Sequence, residues 1–291
     1  MKRLLALCLL LCLLVPAGLA ATKAPLPKEL SSNVGRSFVY APTKRGTWQS
    51  SDPHVAVVTG QGIINFVGAG DAVITHTDTK GKENTLSVTV APGGEMPAVI
   101  QQGIDLALNE WSEAAGQPFP RSNKYTFWLR NAKSTFGWCG AFANYCLDEV
   151  GIPMERRSAS TLQEDGRPYA AYEAAVPKIW ESFTKMDRIA YIPQPGYEVI
   201  YGKRGSTPYV HLGLVTAVTD LGGGKYLLET VEGNMDNRIL RYSYIYDAMA
   251  EDKERNYTAL PVEQQTQPDV FKYEPHNKGA WYITCFGQTW Y

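Results

Sequence analysis

The chain has 291 residues, room for two domains, with 44% hydrophobic and 20% charged residues and no long polar tract. A formal net charge of −1 counts against a nucleic-acid binder, which neutralises phosphates with excess Lys and Arg. The 17 tyrosines and 7 tryptophans read mainly as core packing and amphipathic strands.

In chain order, the start is a targeting segment. Lys2 and Arg3 precede an unbroken apolar run over 4–15, and Pro16-Ala17-Gly18-Leu19-Ala20 then offers small residues at a cleavage site. The run is shorter than the roughly 20 residues a membrane span needs. A cleaved signal peptide over 1–20 is expected, leaving a monomer without membrane attachment that is secreted, periplasmic or wall-associated. Cys8 and Cys12 leave with it, and Cys139, Cys146 and Cys285 remain. Thiols pair in an oxidising compartment, so an odd number leaves one as a candidate reactive group.

Short β-branched or alternating runs follow at 37–41, 55–58, 63–67, 72–77 and 86–90, punctuated by glycine-rich turns. Regular strands without helices predict a small β-sandwich over 30–92. Trp48-Gln49-Ser50-Ser51-Asp52-Pro53, Val55-Ala56-Val57, Gly68-Ala69-Gly70-Asp71-Ala72-Val73-Ile74 and Leu86-Ser87-Val88-Thr89-Val90 resemble the group 2 bacterial immunoglobulin-like domain. That resemblance implies a spacer or adhesive module with no catalytic residues. His54 and His76, isolated at strand ends, are expected at the surface.

Residues 93–97 read as a linker, and 98–291 as a second, α+β domain. Ile100, Ile104, Ala107, Leu108 and Trp111 line one face of a helix over 98–115. A second helix begins at Cys139, with Phe142, Cys146, Leu147 and Val150 as its buried face and Gly151 at its C′ position. Cys139 therefore falls in the first turn, where free backbone N–H groups and the helix dipole favour a thiolate. The same N–H groups suit a developing oxyanion. A cysteine taken alone is a small buried hydrophobe; the flanking glycines, the helix start and the export signal favour a nucleophile here.

The second domain holds two histidines, His211 and His276. His276 falls in a polar turn, whereas His211 opens an alternating strand over 210–218 with Gly213 leaving space beside it, and is the better base. Cys285 lies in a last apolar strand. A Cys146–Cys285 disulfide and two separate buried thiols both fit the pattern.

Trp138-Cys139-Gly140-Ala141-Phe142, Gly196 leading a strand, His211-Leu212-Gly213-Leu214-Val215 and Val231-Glu232-Gly233-Asn234, in this order, resemble the CHAP family, cysteine- and histidine-dependent amidohydrolases and peptidases of the papain-like class. The resemblance spans about 98–244. It implies a papain-like fold, peptidoglycan as substrate, Cys139 as nucleophile, His211 as base, Glu232 as orienter and Asn234 near the site. Trp138, beside the nucleophile, is a candidate for substrate contact or orientation. The family has an acidic residue directly after the strand-opening glycine; here Tyr197 stands there, with Glu198 next. No cofactor is expected, and with two histidines and no His-Glu-x-x-His pattern a zinc amidase is not expected.

A catalytically inactive wall-binding or adhesin protein and a transglutaminase-like acyl transferase are the alternatives. A hairpin over 210–232 in which Val218 faces Lys225 would set His211 opposite Glu232 on one sheet face. Asn234, next along that face, takes the orienting role if a bulge shifts the register.

Overall fold

The computed structural model describes residues 26–40, 45–131, 133–155, 168–260 and 280–290. The expected signal segment, Ala41 and His276 lie outside them. Among the described residues the chain is mostly β-sheet, with four α-helices.

The first unit carries β1 (Glu29–Asn33), β2 (Ser37–Val39), β3 (Gly46–Ser50), β4 (Ala56–Val58), β5 (Ile63–Phe66), β6 (Gly70–Asp78) and β7 (Glu83–Ala91). They form one sheet in the order β1-β7-β6-β3 and another in the order β2-β5-β4. Period-2 alternation turns Ala72 and Ile74 of β6 and Leu86, Val88 and Val90 of β7 onto Ala56, Ile64 and Phe66 of the other sheet. The two sheets thus share one core, as a sandwich does. β1 and β3 were not anticipated. Each is an edge of its sheet, paired on one side only, and so carries a weaker apolar pattern. His76 is a correction: it is 3% exposed, because the alternation of β6 turns it inward with Ile74. Its ring lies 4.5 Å from that of Trp48.

The second unit begins with α1 (Ala98–Ala114), α2 (Lys124–Arg130) and α3 (Cys139–Glu149). Then come β8 (Met154–Glu155), β9 (Ala170–Ala171), α4 (Val176–Lys185) and β10 (Ile189–Ala190). The large strands are β11 (Glu198–Lys203), β12 (His211–Gly222), β13 (Lys225–Met235) and β14 (Arg238–Asp247), followed by β15 (Tyr257–Ala259) and β16 (Trp281–Gly287). Seven of these make one sheet, β10-β16-β11-β12-β13-β14-β15, antiparallel at every pairing. The chain after Asp247, which motifs left unplaced, returns as β16 between β10 and β11.

Ile100, Ile104 and Ala107 of α1 and Ala141, Phe142 and Leu147 of α3 join the sheet in one core. α2 is set by a capping box, in which the Asn123 side chain accepts from the Tyr125 and Thr126 N–H groups while Thr126 accepts from the Asn123 N–H. α4 has proline in its first turn and buries Val176, Ile179 and Phe183.

The disulfide alternative is corrected, since Cys139, Cys146 and Cys285 are all free and buried. Cys146 lies near Glu110 of α1 and Lys124 of α2. Cys285 pairs with Ile200 in the sheet and lies near Tyr191 and Tyr209. The two thiols belong to different layers of the core. Between the units, Arg36 donates to the Asp187 carbonyl at 2.9 Å and Gln61 to the Glu251 carbonyl at 3.0 Å.

Candidate active site

Cys139 is the first residue of α3, after Trp138 at an N-cap that has no side-chain hydrogen bond. The N–H groups of the first turn therefore remain open to a thiolate or an oxyanion. Burial alone would push the thiol up. The charge and hydrogen bond of His211, with backbone N–H groups of Gly140 and Leu212, outweigh burial and hold Cys139 below the ordinary thiol range. Burial likewise pulls His211 down, and Cys139 and Glu232 more than restore it, so its imidazolium is favoured well above the usual range. Both shifts favour the same state, a thiolate beside an imidazolium.

Glu232, fully buried, faces His211 Nε2 across 2.9 Å through its Oε2, which leaves Nδ1 for the thiol. Its Oε1 accepts from the Tyr201 hydroxyl at 2.7 Å, from Thr230 Oγ1 at 2.8 Å and from the Tyr244 hydroxyl. A buried carboxylate is costly unless hydrogen-bonded; here hydroxyls hold one oxygen and the imidazole the other.

The register differs from the expected one. Val218 faces Leu228, Leu214 faces Val231, and the hairpin turns at Gly223-Gly224, farther out than expected because β12 runs on to Gly222. Continuing that pairing sets Gly213, not His211, opposite Glu232. The carboxylate reaches His211 diagonally, through space that a side chain on residue 213 would fill: a Cβ there would lie 2.6 Å from Glu232 Cγ. β13 loses register with β14 between Glu232 and Met235, where Asn234 takes φ +62°; the shifts in its pairing with β12 lie elsewhere, between Val215 and Ala217 and between Asp220 and Gly222. Asn234 lies by the loop ahead of Cys139, with Nδ2 3.6 Å from where a Gly137 Cβ would sit.

Trp138 is 1% exposed and stacks on Tyr125 at 5.2 Å and 16°. It packs in the core and cannot meet substrate, so its candidate role reduces to orientation. Gly233 allows that packing: a Cβ there would lie 2.5 Å from Phe142 Cβ and 2.9 Å from Trp138 Cζ3. Helix α3 thus seats directly on the strand that carries Glu232.

Cys139 opens into a cleft of about 290 Å³. Arg130, Phe136, Glu173, Val176, Tyr209 and Val210 are among its walls. Glu173 Oε1 accepts from the N–H groups of Ala174 and Ala175, and Tyr209 stacks on Trp180 at 4.5 Å. Sequence reasoning missed Thr230, Tyr201, Tyr244 and the cleft walls. Thr230 was readable, two residues before Glu232 on one strand and so on the same face. The two tyrosines become visible only once strand order is known.

No family model matches the chain, and no curated protein matches it. Among solved structures it is similar to a bacterial Ig-like domain containing GH10 xylanase from termite gut, with 23% identity and a TM-score of 0.21. That match covers 24% of this chain and 20% of the xylanase chain.

Proposed function

We propose that this protein is an exported cysteine hydrolase that cuts amide bonds of peptidoglycan. The observation that carries the reading is the line from Cys139 through His211 to Glu232, with the thiol at a helix start and at the floor of a cleft. In this reading the Cys139 thiolate attacks the amide carbonyl. N–H groups of the first turn of α3 stabilise the oxyanion, His211 protonates the leaving amine, and water then releases the acyl group. Glu232 keeps the imidazole oriented and stabilises its cationic form. The peptidoglycan assignment rests on the CHAP-like motifs at Cys139, His211 and Glu232 and on the signal-like segment over 1–20. The immunoglobulin-like reading of 30–92 gives that unit a placing role, raising the effective concentration of substrate.

The test is incubation with purified peptidoglycan, followed by mass spectrometry of the soluble products. New free amines of defined mass, absent with Cys139→Ala, are expected and identify the bond. Cross-linked products would instead mean acyl transfer, and binding without products would mean a wall-binding protein.

A further inference from the structure

Glu198 is a buried ionisable group that this mechanism leaves unused. It opens β11 and is 0% exposed. Among the described residues neither carboxyl oxygen has a hydrogen-bond partner. Across the sheet it faces Leu214 of β12 and Gly287 of β16. One period along the same face, Ile200 faces Leu212, whose N–H points at the Cys139 thiol. Two residues of strand are about 7 Å, and the carboxyl lies within range of the Cys139 charge. A solitary carboxylate here would combine full desolvation with repulsion from a thiolate; a neutral carboxylic acid has neither cost.

We propose that Glu198 is a charge switch beside Cys139, uncharged while the site works, whose loss of a proton pushes the thiolate–imidazolium pair back to thiol and imidazole. The inference rests on Cys139 and His211 forming the pair described above. In the step, Glu198 releases its proton to solvent, and the His211 imidazolium returns its own proton to Cys139 Sγ. No electrons change hands. The added negative charge also opposes an oxyanion forming at the start of α3.

The surroundings fix the sign. Burial first, then the charge of Cys139, pushes the Glu198 carboxyl up to about 8. From the elements packed around it, α3 contributes Cys139, β12 the uncharged Leu214 and β16 the uncharged Gly287, over which α4 lays Phe183. The neighbouring Tyr197 hydroxyl is engaged by Gln288 at 3.1 Å. The effect therefore belongs to the alkaline side: the site works with Glu198 neutral and is switched off as pH rises through about 8.

The experiment uses alkylation of Cys139 in the full-length protein, with neutral iodoacetamide and anionic iodoacetate, across the pH range. It needs no substrate, so its outcome is separate from whether peptidoglycan is cleaved. In wild type, the iodoacetate rate relative to the iodoacetamide rate should fall roughly tenfold through the Glu198 titration, the equivalent of one pKa unit of repulsion. Glu198→Gln, which keeps the shape and cannot ionise, should abolish that fall and leave the neutral-pH rates unchanged. Glu198→Leu, equally uncharged, serves if the amide disturbs folding.

A second readout needs no variant. Thermodynamic reciprocity requires that alkylating Cys139 with iodoacetamide, which leaves a neutral adduct and so removes its charge, lower the pH at which Glu198 titrates. Carboxyl carbon-13 NMR of glutamate-labelled protein, before and after alkylation, measures this. An unchanged alkaline fall in folded Glu198→Gln, or a Glu198 resonance that alkylation does not shift, overturns the proposal.

Discussion

Glu232 meets His211 across 2.9 Å although the strand register places Gly213, not His211, opposite it. The pairing is diagonal, and the missing side chain of Gly213 keeps the path open. Directly opposed residues bring their Cβ atoms to roughly 5 Å, and diagonal neighbours to roughly 7–8 Å. A glutamate is long enough to span the difference only if nothing stands between.

Gly213→Ala should therefore disable the site while leaving Cys139, His211 and Glu232 in the chain. The added Cβ would lie 2.6 Å from Glu232 Cγ, closer than the side chain tolerates, so the carboxylate must move. A displacement of about 1 Å at a catalytic group costs roughly 10²-fold in rate. The turnover number on soluble wall fragments should fall by that order, with KM little changed. Wild-type turnover in Gly213→Ala would mean that the diagonal contact is not needed.

The same geometry separates charge from scaffolding. Glu232→Gln removes the charge that stabilises the imidazolium and should lower turnover roughly 10²-fold or more. Tyr201→Phe removes one hydroxyl from Oε1, while Thr230 and Tyr244 still donate to it. Losing one hydrogen bond to a charged group costs roughly 1.5–3 kcal/mol. It should appear mainly as a lower melting temperature, with turnover changed far less than in Glu232→Gln. Steady-state kinetics and thermal denaturation on both variants check the contrast.

The residues around Cys139 were legible because their pattern is local. A helix start can be read from Cys139, the spacing of Phe142, Cys146 and Leu147, and Gly151. A half-buried strand can be read from the alternation beginning at His211. The contact between His211 and Glu232 was anticipated through the wrong register, because the hairpin extends to Gly223-Gly224 and a glycine-rich stretch does not say which glycines turn. Helix α2 hid because its signal is a capping pair, Asn123 and Thr126, rather than a long apolar stripe. Glu198 stood in the sequence beside Gly196 and Tyr197, but its burial depends on β16, which comes from the far end of the chain. His76 was misread because a lone polar residue in a strand is usually outward, and here the strand's phase turns it in.

Thiol chemistry tests the electrostatics directly. Cys139 is held below the ordinary thiol range by His211 against its burial, whereas burial pushes Cys146 and Cys285 up. The sign follows: Cys139 stays a thiolate as pH falls below the free-cysteine value of about 8.5, until the lowered value is reached. Native protein lacking 1–20 should therefore take up one equivalent of iodoacetamide near neutral pH, and peptide mapping should place it on Cys139. Denatured, unreduced protein should show three free thiols. A count of one would restore a bridge between Cys146 and Cys285.

The last prediction concerns the sandwich unit. Its core and that of the second unit are separate clusters, and the residues proposed for catalysis all lie in the second. The contacts between them are mostly polar: Arg36 on Asp187, Gln61 on Glu251, and the Tyr191 N–H on Ser37 Oγ at 3.3 Å. The Arg36–Asp187 ion pair, at 3.6 Å, has an exposed carboxylate, and such pairs contribute roughly 0–1 kcal/mol. A chain beginning at Glu95 should fold with a slightly lower melting temperature, keep the reactivity of Cys139 and cleave soluble wall fragments at close to the full-length rate. Cleavage of intact, insoluble wall should fall more, because the unit proposed to place the enzyme on the wall is gone. If the shortened chain folds and alkylates normally but is inactive on every soluble fragment, the sandwich contributes directly to the substrate site.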